Sequence, residues 1–297
     1  MAIVELKGIA KTFGQVQALK DVTFSVEKGE VFGFIGPNGS GKSTTIRVLL
    51  GMIKASAGTA EIFGQDVWKQ APVIHRHTAY VPGDVHLWPN LTGGEVIDLL
   101  MELGGGGDQE RRDQLIERFQ LDPTKKCRTY SKGNRQKVAL IGAFASYADL
   151  YLFDEPTSGL DPLMERIFQE CVREVRSEGK SVLLSSHILS EVEKLCDRVG
   201  IIRDGTMIET GSLSDLRHLT RMTMDVETER RIVSLESQPG VYDVQREGEG
   251  VSFQVDTEYS GAVISYLTKF GIKHLESRPP TLEDLFLRYY EEGRQAT

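Results

Sequence analysis

The sequence has no run approaching the ~20 consecutive apolar residues that a helix needs to cross a bilayer, which excludes a helical membrane span. Cysteine is scarce. Cys127, Cys171 and Cys196 are far apart, odd in number and without a C-x-x-C pair, so neither a disulfide framework nor a cysteine zinc site is available. An excess of basic residues is also missing, since 35 Lys plus Arg stand against 43 Asp plus Glu, a formal net charge of -8. That balance opposes nucleic-acid binding, which depends on releasing counterions from a basic surface. From residue 222 to the end, eight Lys plus Arg face fourteen Asp plus Glu, so this stretch holds -6 of the -8. The opening MAIVELKGIAKTF lacks the basic-then-apolar layout of an export signal, and the expectation is a cytosolic protein. With 297 residues, 40% hydrophobic and 26% charged, there is material for one large domain and a smaller one.

Residues 31–44 read VFGFIGPNGSGKST, an apolar run that breaks into a glycine-rich turn and continues as the helical pattern TTIRVLLGMI. Gly36 to Ser43 has the spacing G-x-x-x-x-G-K-S. A chain that wraps round a phosphate must point successive N–H groups inward, and glycines permit that path. Gly36, Pro37, Asn38, Gly39, Ser40, Gly41, Lys42, Ser43 and Thr44 are therefore the expected phosphate cradle, with the helix start adding its positive end. Lys42 is expected at the β- and γ-phosphates, and the Ser43 hydroxyl on Mg²⁺.

Two acids end a second strand-like run in ADLYLFDEPTSGLDP at 148–162. Carboxylates at the carboxyl end of a central strand lie where open α/β sheets bind ligands. Asp154 is the expected Mg²⁺ partner, and Glu155 the acceptor of a proton from an attacking water. Alone, such a pair reads as a helix cap. A third run, SVLLSSHILS, ends at Ser186 and His187, which can reach a γ-phosphate.

Together these motifs resemble the nucleotide-binding subunit of the ATP-binding cassette (ABC) transporter family, over about residues 1–217. GPNGSGKST matches the Walker A loop, LYLFDEP the Walker B strand, SGLD at 158–161 the D-loop, and His187 the switch histidine. The resemblance implies a P-loop α/β cassette with an antiparallel β subdomain and a helical subdomain, binding ATP and Mg²⁺ and hydrolysing ATP. It places Phe13, in KTFGQVQAL, against adenine, although alone Phe13 reads as core. It identifies YSKGNRQK at 130–137 with the signature motif, usually close to LSGGQ. Ser131, Lys132, Gly133 and Asn134 would then meet the γ-phosphate held by a second copy, with Asp161 beside the same nucleotide. The implied partners are that second copy and a separate integral-membrane permease, at the cytoplasmic face of the cell membrane.

The sequence departs from the family at Lys132, which replaces the first signature glycine, and at Asn134, which replaces glutamine. It departs again in AYVPGDVHLWPNLT, where Gly83 stands in place of a usual glutamine. Asp84 and backbone contacts to the permease are two alternatives for its role.

The remaining chain sets the organisation. Residues 92–146 read as helices, with Thr92 and Glu95 at capping-box spacing and Leu115, Ile116 and Phe119 as an apolar stripe. The helical subdomain is expected at about 84–146, with His86, Leu87, Trp88 and Pro89 at its entrance, packed locally or left for a partner. Asp204-Gly205 marks a hairpin, and SLSDLRHL a short closing helix. The expected domains are 1–220, the cassette, and 221–297, a small α+β ferredoxin-like accessory domain. In the latter, strands TMDV, GVYDVQ, VSFQV and IKHLES alternate with helices ERRIVSLES and YSGAVISYLTKF, followed by helix TLEDLFLRYYEE. Its likeness to appendages of drug-efflux and antibiotic-resistance cassettes favours an exporter. The competing readings are a soluble ABC-type ATPase acting on nucleic acid or the ribosome, and a nucleotide-gated subunit that barely hydrolyses.

Overall fold

The structure is a computed structural model that describes residues 1–213, 215, 221–248 and 250–278. The chain divides into two compact units, Met1–Gly211 and Ser212–Thr297. The sequence expectation put the break at 220/221.

The first unit runs β1 (Ala2–Phe13), β2 (Val16–Glu27), β3 (Val31–Ile35), α1 (Lys42–Leu49), β4 (Ala57–Ile62), β5 (Gln65–Asp66), α2 (Ala71–His75) and β6 (Thr78–Val81). It continues with α3 (Gly93–Leu103), α4 (Gln109–Arg118), α5 (Lys132–Ala145), β7 (Leu150–Asp154), α6 (Pro162–Ser177), β8 (Ser181–Ser186), α7 (Leu189–Leu195), β9 (Arg198–Arg203) and β10 (Thr206–Ser212). One ten-stranded sheet has the order β5-β4-β1-β2-β10-β9-β3-β8-β7-β6. Its inner half is parallel: β3 lies between β8 and β9, and β7 between β8 and β6. VFGFI, LYLFD and SVLLSS are buried along their whole length, the pattern of strands covered on both faces. The outer half is antiparallel, β1 pairing with β2 and β4. β9 and β10 turn back at Asp204 (φ 50°) and Gly205 (φ 77°), a pair of left-handed residues that suits a two-residue hairpin.

Helices α1, α6 and α7 each follow a parallel strand, so the carboxyl ends of β3, β7 and β8 share one sheet edge. Between β6 and β7 the chain leaves the sheet for α3–α5. Thr92 starts α3 with a full capping box: its Oγ1 accepts from the Glu95 amide (3.2 Å), and Glu95 Oε2 accepts from the Thr92 amide (2.6 Å). Leu115 and Phe119 are fully buried. Thr92→Ala should lower the thermal unfolding midpoint by about 2–4 °C. An unchanged midpoint in calorimetry would show that tertiary packing alone holds this helix.

The second unit has β11 (Met222–Thr228), β12 (Val241–Glu247), β13 (Gly250–Val255), α8 (Ser260–Leu267) and β14 (Ile272–Arg278). The four strands form an antiparallel sheet in the order β12-β13-β11-β14 over a core that includes Met224, Phe253, Val263 and Leu267. The helix expected over ERRIVSLES is absent. That segment is irregular, with a single 3-10 turn at Leu235–Ser237. Ile232 and Leu235 are sunk in the core, Ser234 is left-handed (φ 51°), and Arg246 Nη1 donates to the Ile232 carbonyl (3.1 Å) that a helix would need. Core anchoring thus overrides the local helical pattern, which Pro239 and Gly240 end in any case. Most of the helix expected over SLSDLRHL, and the whole of the one over TLEDLFLRYYEE, lie outside the described residues.

Candidate functional site

The loop between β3 and α1 turns on its glycines. A Cβ at Gly36 would lie 2.4 Å from the Ile202 carbonyl, and one at Gly41 2.6 Å from Leu19 Cδ2. Gly39 (φ 81°) and Gly41 (φ 114°) occupy the region that side chains avoid. Helix α1 begins with no side-chain cap and no acid in its first turn, so its positive end is not neutralised. Asn38, Gly39, Lys42, Ser43, Thr44 and Glu155 are among the residues lining an open cavity of about 180 Å³ at this point.

Lys42 is almost fully buried. Its Nζ donates to the carbonyls of Gly36 (2.6 Å) and Pro37 (3.1 Å) and lies 3.7 Å from Glu155 Oε1. Burial pulls its ammonium below the usual lysine range, and the charge of Glu155 works the other way. A cation held by carbonyls at the floor of a glycine loop is placed for an anion.

At the end of β7, Asp154 is buried and its Oδ1 accepts from Ser185 Oγ (2.6 Å). Glu155 is left-handed (φ 50°), a strained conformation for a side-chain-bearing residue. Two bonds hold it there, its amide donating to the Ser185 carbonyl (3.0 Å) and to Ser185 Oγ (3.2 Å). The turn swings the carboxyl out of the strand, where Oε2 lies 3.3 Å from His187 Nδ1. Lys42, Glu155 and His187, predicted from three separate segments, therefore meet. Ser43 Oγ and the second oxygen of Asp154 have no protein partner among the described residues, and two hard oxygens at this edge fit a small divalent cation.

Ser131 caps α5 with Oγ accepting from the Asn134 amide (3.3 Å). That bond takes up the Asn134 amide at the helix start. Lys132 Nζ donates to Ser158 Oγ (2.8 Å), and its stem lies over Gly159. A Cβ at Gly133 would come within 2.6 Å of the Gly159 carbonyl, so only glycine fits this approach. Asp161 caps α6 by accepting from the amides of Leu163 and Met164, both at 3.0 Å, a structural use of its carboxylate. Phe13 stands outside the cavity lining, half exposed, with Lys11 Nζ 4.9 Å above its ring centroid.

Gly83 abuts the end of β7, a Cβ there being 3.0 Å from the Asp154 carbonyl. Asp84 beside it is exposed and lies 3.8 Å from His86. Val85 is buried and Trp88 half exposed. The loop after Trp88 is held by Cys127 and Arg128, whose amides donate to the Leu91 and Pro89 carbonyls. Sequence reasoning missed Ser185, Gln136, Thr157 and Glu191. The one available signal was the pair of hydroxyls at 185–186 ending an apolar strand.

A glycine cradle with a buried lysine, a histidine just past the end of the adjacent parallel strand and two acids at the end of the strand beyond it define a P-loop nucleotide hydrolase. A family model for the ABC transporter matches residues 19–158, and one for the C-terminal domain of DrrA1-3-like ATP-binding proteins matches 211–290. The chain is 31% identical to the uncharacterised ABC transporter ATP-binding protein YhcH of Bacillus subtilis, over 99% of this chain and 97% of the relative. It is 30% identical to the linearmycin resistance ATP-binding protein LnrL of the same organism, over 96% and 97%. Identity to the bacitracin transport ATP-binding protein BcrA of Bacillus licheniformis is 29%, over 84% and 83%. Among solved structures, an ATP-binding subunit of an ABC transporter superposes with a TM-score of 0.69 at 33% identity, over 73% of this chain and 92% of that one. A dimeric cassette in a post-hydrolysis state bound to ADP and Pi gives a TM-score of 0.65 at 25% identity, over 71% and 98%. The chain belongs to the ABC transporter ATP-binding proteins: it binds ATP and hydrolyses it for transport.

Proposed function

We propose that this subunit powers export of a drug- or antibiotic-type compound through a separate integral-membrane permease, closing head to tail with a second copy around two ATP molecules. The observation that carries the hydrolytic part is the convergence of Lys42, Glu155 and His187, with separations of 3.7 and 3.3 Å, at the mouth of the glycine cradle. The relatives named for linearmycin resistance and bacitracin transport, and the DrrA-like C-terminal match, support export.

The residues divide the work. Backbone N–H groups from Gly39 to Thr44 and the Lys42 ammonium hold the phosphates, while Phe13 stacks on adenine. Ser43 and Asp154 hold Mg²⁺, which when bound offsets the charge of the β- and γ-phosphates. Glu155 Oε takes the proton of the attacking water, and His187 orients that carboxylate and hydrogen-bonds the γ-phosphate. Ser131 and Gly133 of the second copy close the far side of the γ-phosphate, with Lys132 adding charge and Asn134 and Asp161 fixing the local backbone. The net charge of -8 argues against the nucleic-acid reading.

Pull-down from membranes in mild detergent should recover a polytopic membrane protein, locating the subunit at the cytoplasmic face. Recovery of ribosomes or DNA instead would overturn this reading. Trp88 docks a cytoplasmic helix of the permease, because its ring is exposed on a backbone held by the 127–128 segment. Trp88→Ala should reduce co-purification with membranes about tenfold and leave ATP binding to the purified subunit intact. Crosslinking that places the membrane partner elsewhere would refute it.

A further inference from the structure

Glu191, on the inner side of α7, is a buried carboxyl with no part in the chemistry above. It is 7% exposed, and its Oε1 has no hydrogen-bond partner. Its Oε2 accepts from Thr157 Oγ1 (3.1 Å) and from Ser186 Oγ (3.3 Å). Burial raises this carboxyl above its ordinary range, against the Thr157 hydrogen bond and with a further push from Glu165. A buried acid with one orphaned oxygen is a poor choice for packing alone, since an apolar side chain avoids the desolvation cost.

The two hydroxyls it gathers belong to different loops. Thr157 starts the 157–161 loop, and Ser186 precedes His187 and also accepts from the Ile188 amide (2.9 Å). The 156–159 stretch is in turn fastened to the start of α5. Gln136 Nε2 donates to the Pro156 carbonyl (2.9 Å), Lys132 Nζ donates to Ser158 Oγ (2.8 Å), and Gly133 and Gly159 meet backbone to backbone. A continuous chain of contacts thus runs from Ser131 and Lys132 through Thr157 and Glu191 to Ser186, His187 and Glu155.

We propose that Glu191 is a positioning residue that ties the 157–161 loop to the His187 loop, so that the surface closing on a second copy's nucleotide also sets the orientation of this chain's own His187 and Glu155. The proposal rests on the assignment of Glu155 and His187 as the hydrolytic pair. Both loops have irregular backbone, and Glu191 is the one acceptor they share among the described residues.

The test uses the full chain carrying Thr157→Val, Glu191→Gln, both together, and Thr157→Ser. Thr157→Val keeps the side-chain shape and removes only the hydroxyl, so it carries the test if Glu191→Gln fails to fold. Each of the first two should lower ATP turnover about tenfold while the ATP dissociation constant, read with a fluorescent ATP analogue, stays within about twofold. The double variant should be no slower than the slower single one. Thr157→Ser, which keeps the hydroxyl, should recover at least about half of turnover. Independently of activity, amide hydrogen exchange at 157–161 should speed up in Thr157→Val and Glu191→Gln before nucleotide is added. Additive losses, wild-type turnover in Thr157→Val, or unchanged exchange would overturn the proposal. A wild-type chain without ATPase activity would instead strike at the assignment of Glu155 and His187, while the exchange measurement would still decide whether Glu191 joins the loops.

Discussion

Lys42→Ala should reduce ATP turnover by at least about 10²–10³-fold and weaken ATP binding at the same time. No other side chain in the 36–44 loop carries positive charge, so nothing replaces the ammonium at the β- and γ-phosphates. Its surroundings sharpen the expectation. The amine is held by the Gly36 and Pro37 carbonyls at the loop floor, and without it Glu155 loses the cation 3.7 Å away. An uncompensated carboxylate would then face the γ-phosphate, adding repulsion to the lost attraction. Thermal unfolding separates this from a folding defect, because the cradle's shape comes from Gly36, Gly39 and Gly41. A folded Lys42→Ala protein with wild-type affinity and turnover would refute the placement of phosphate on this loop.

Glu155→Gln should still bind ATP but lose hydrolysis, and so accumulate as a closed dimer. Glutamine keeps the shape of glutamate and is a poor proton acceptor, which blocks the step that lets the dimer reopen. The strained turn at residue 155 should survive, since it is fixed by backbone bonds to Ser185 and not by the carboxyl. In that background Ser131→Arg should abolish the dimer. Ser131 is exposed at the cap of α5, and beside it Gly133 packs so tightly on Gly159 that the helix start cannot shift to admit a larger side chain. Light scattering after size exclusion, with Mg²⁺ and ATP present and then absent, reads both outcomes. A Glu155→Gln protein that stays monomeric in ATP with its permease supplied, or a dimer indifferent to Ser131→Arg, would remove the head-to-tail arrangement.

Much of the site was readable because its parts are short and obey local rules. Gly36 to Ser43 announces a phosphate loop by spacing alone, LYLFDE and SVLLSSH announce buried strands with polar ends, and Thr92 with Glu95 announces the start of α3. These are properties of single segments, where backbone freedom and periodicity decide. The same locality misled the reading of ERRIVSLES, whose helical pattern gave way once Ile232 and Leu235 were drawn into the second unit's core and Arg246 took the Ile232 carbonyl.

Lys42, Glu155 and His187 are each nameable from the chain, yet their meeting depends on β3, β8 and β7 lying side by side in parallel, an arrangement set by burial on both sheet faces. Ser185 looks like any strand-end serine until that pairing puts its hydroxyl between Asp154 and the Glu155 amide. Glu191 reads as one more surface acid of a short helix and becomes a buried junction only when α7 packs against the sheet. The sequence by itself determined the fold class, the glycine-rich loop and the candidate reacting side chains, because glycine stereochemistry and hydrophobic periodicity act within a few residues. Tertiary structure alone decided which polar groups are buried together, because desolvation and hydrogen bonding across segments depend on neighbours more than thirty residues away along the chain.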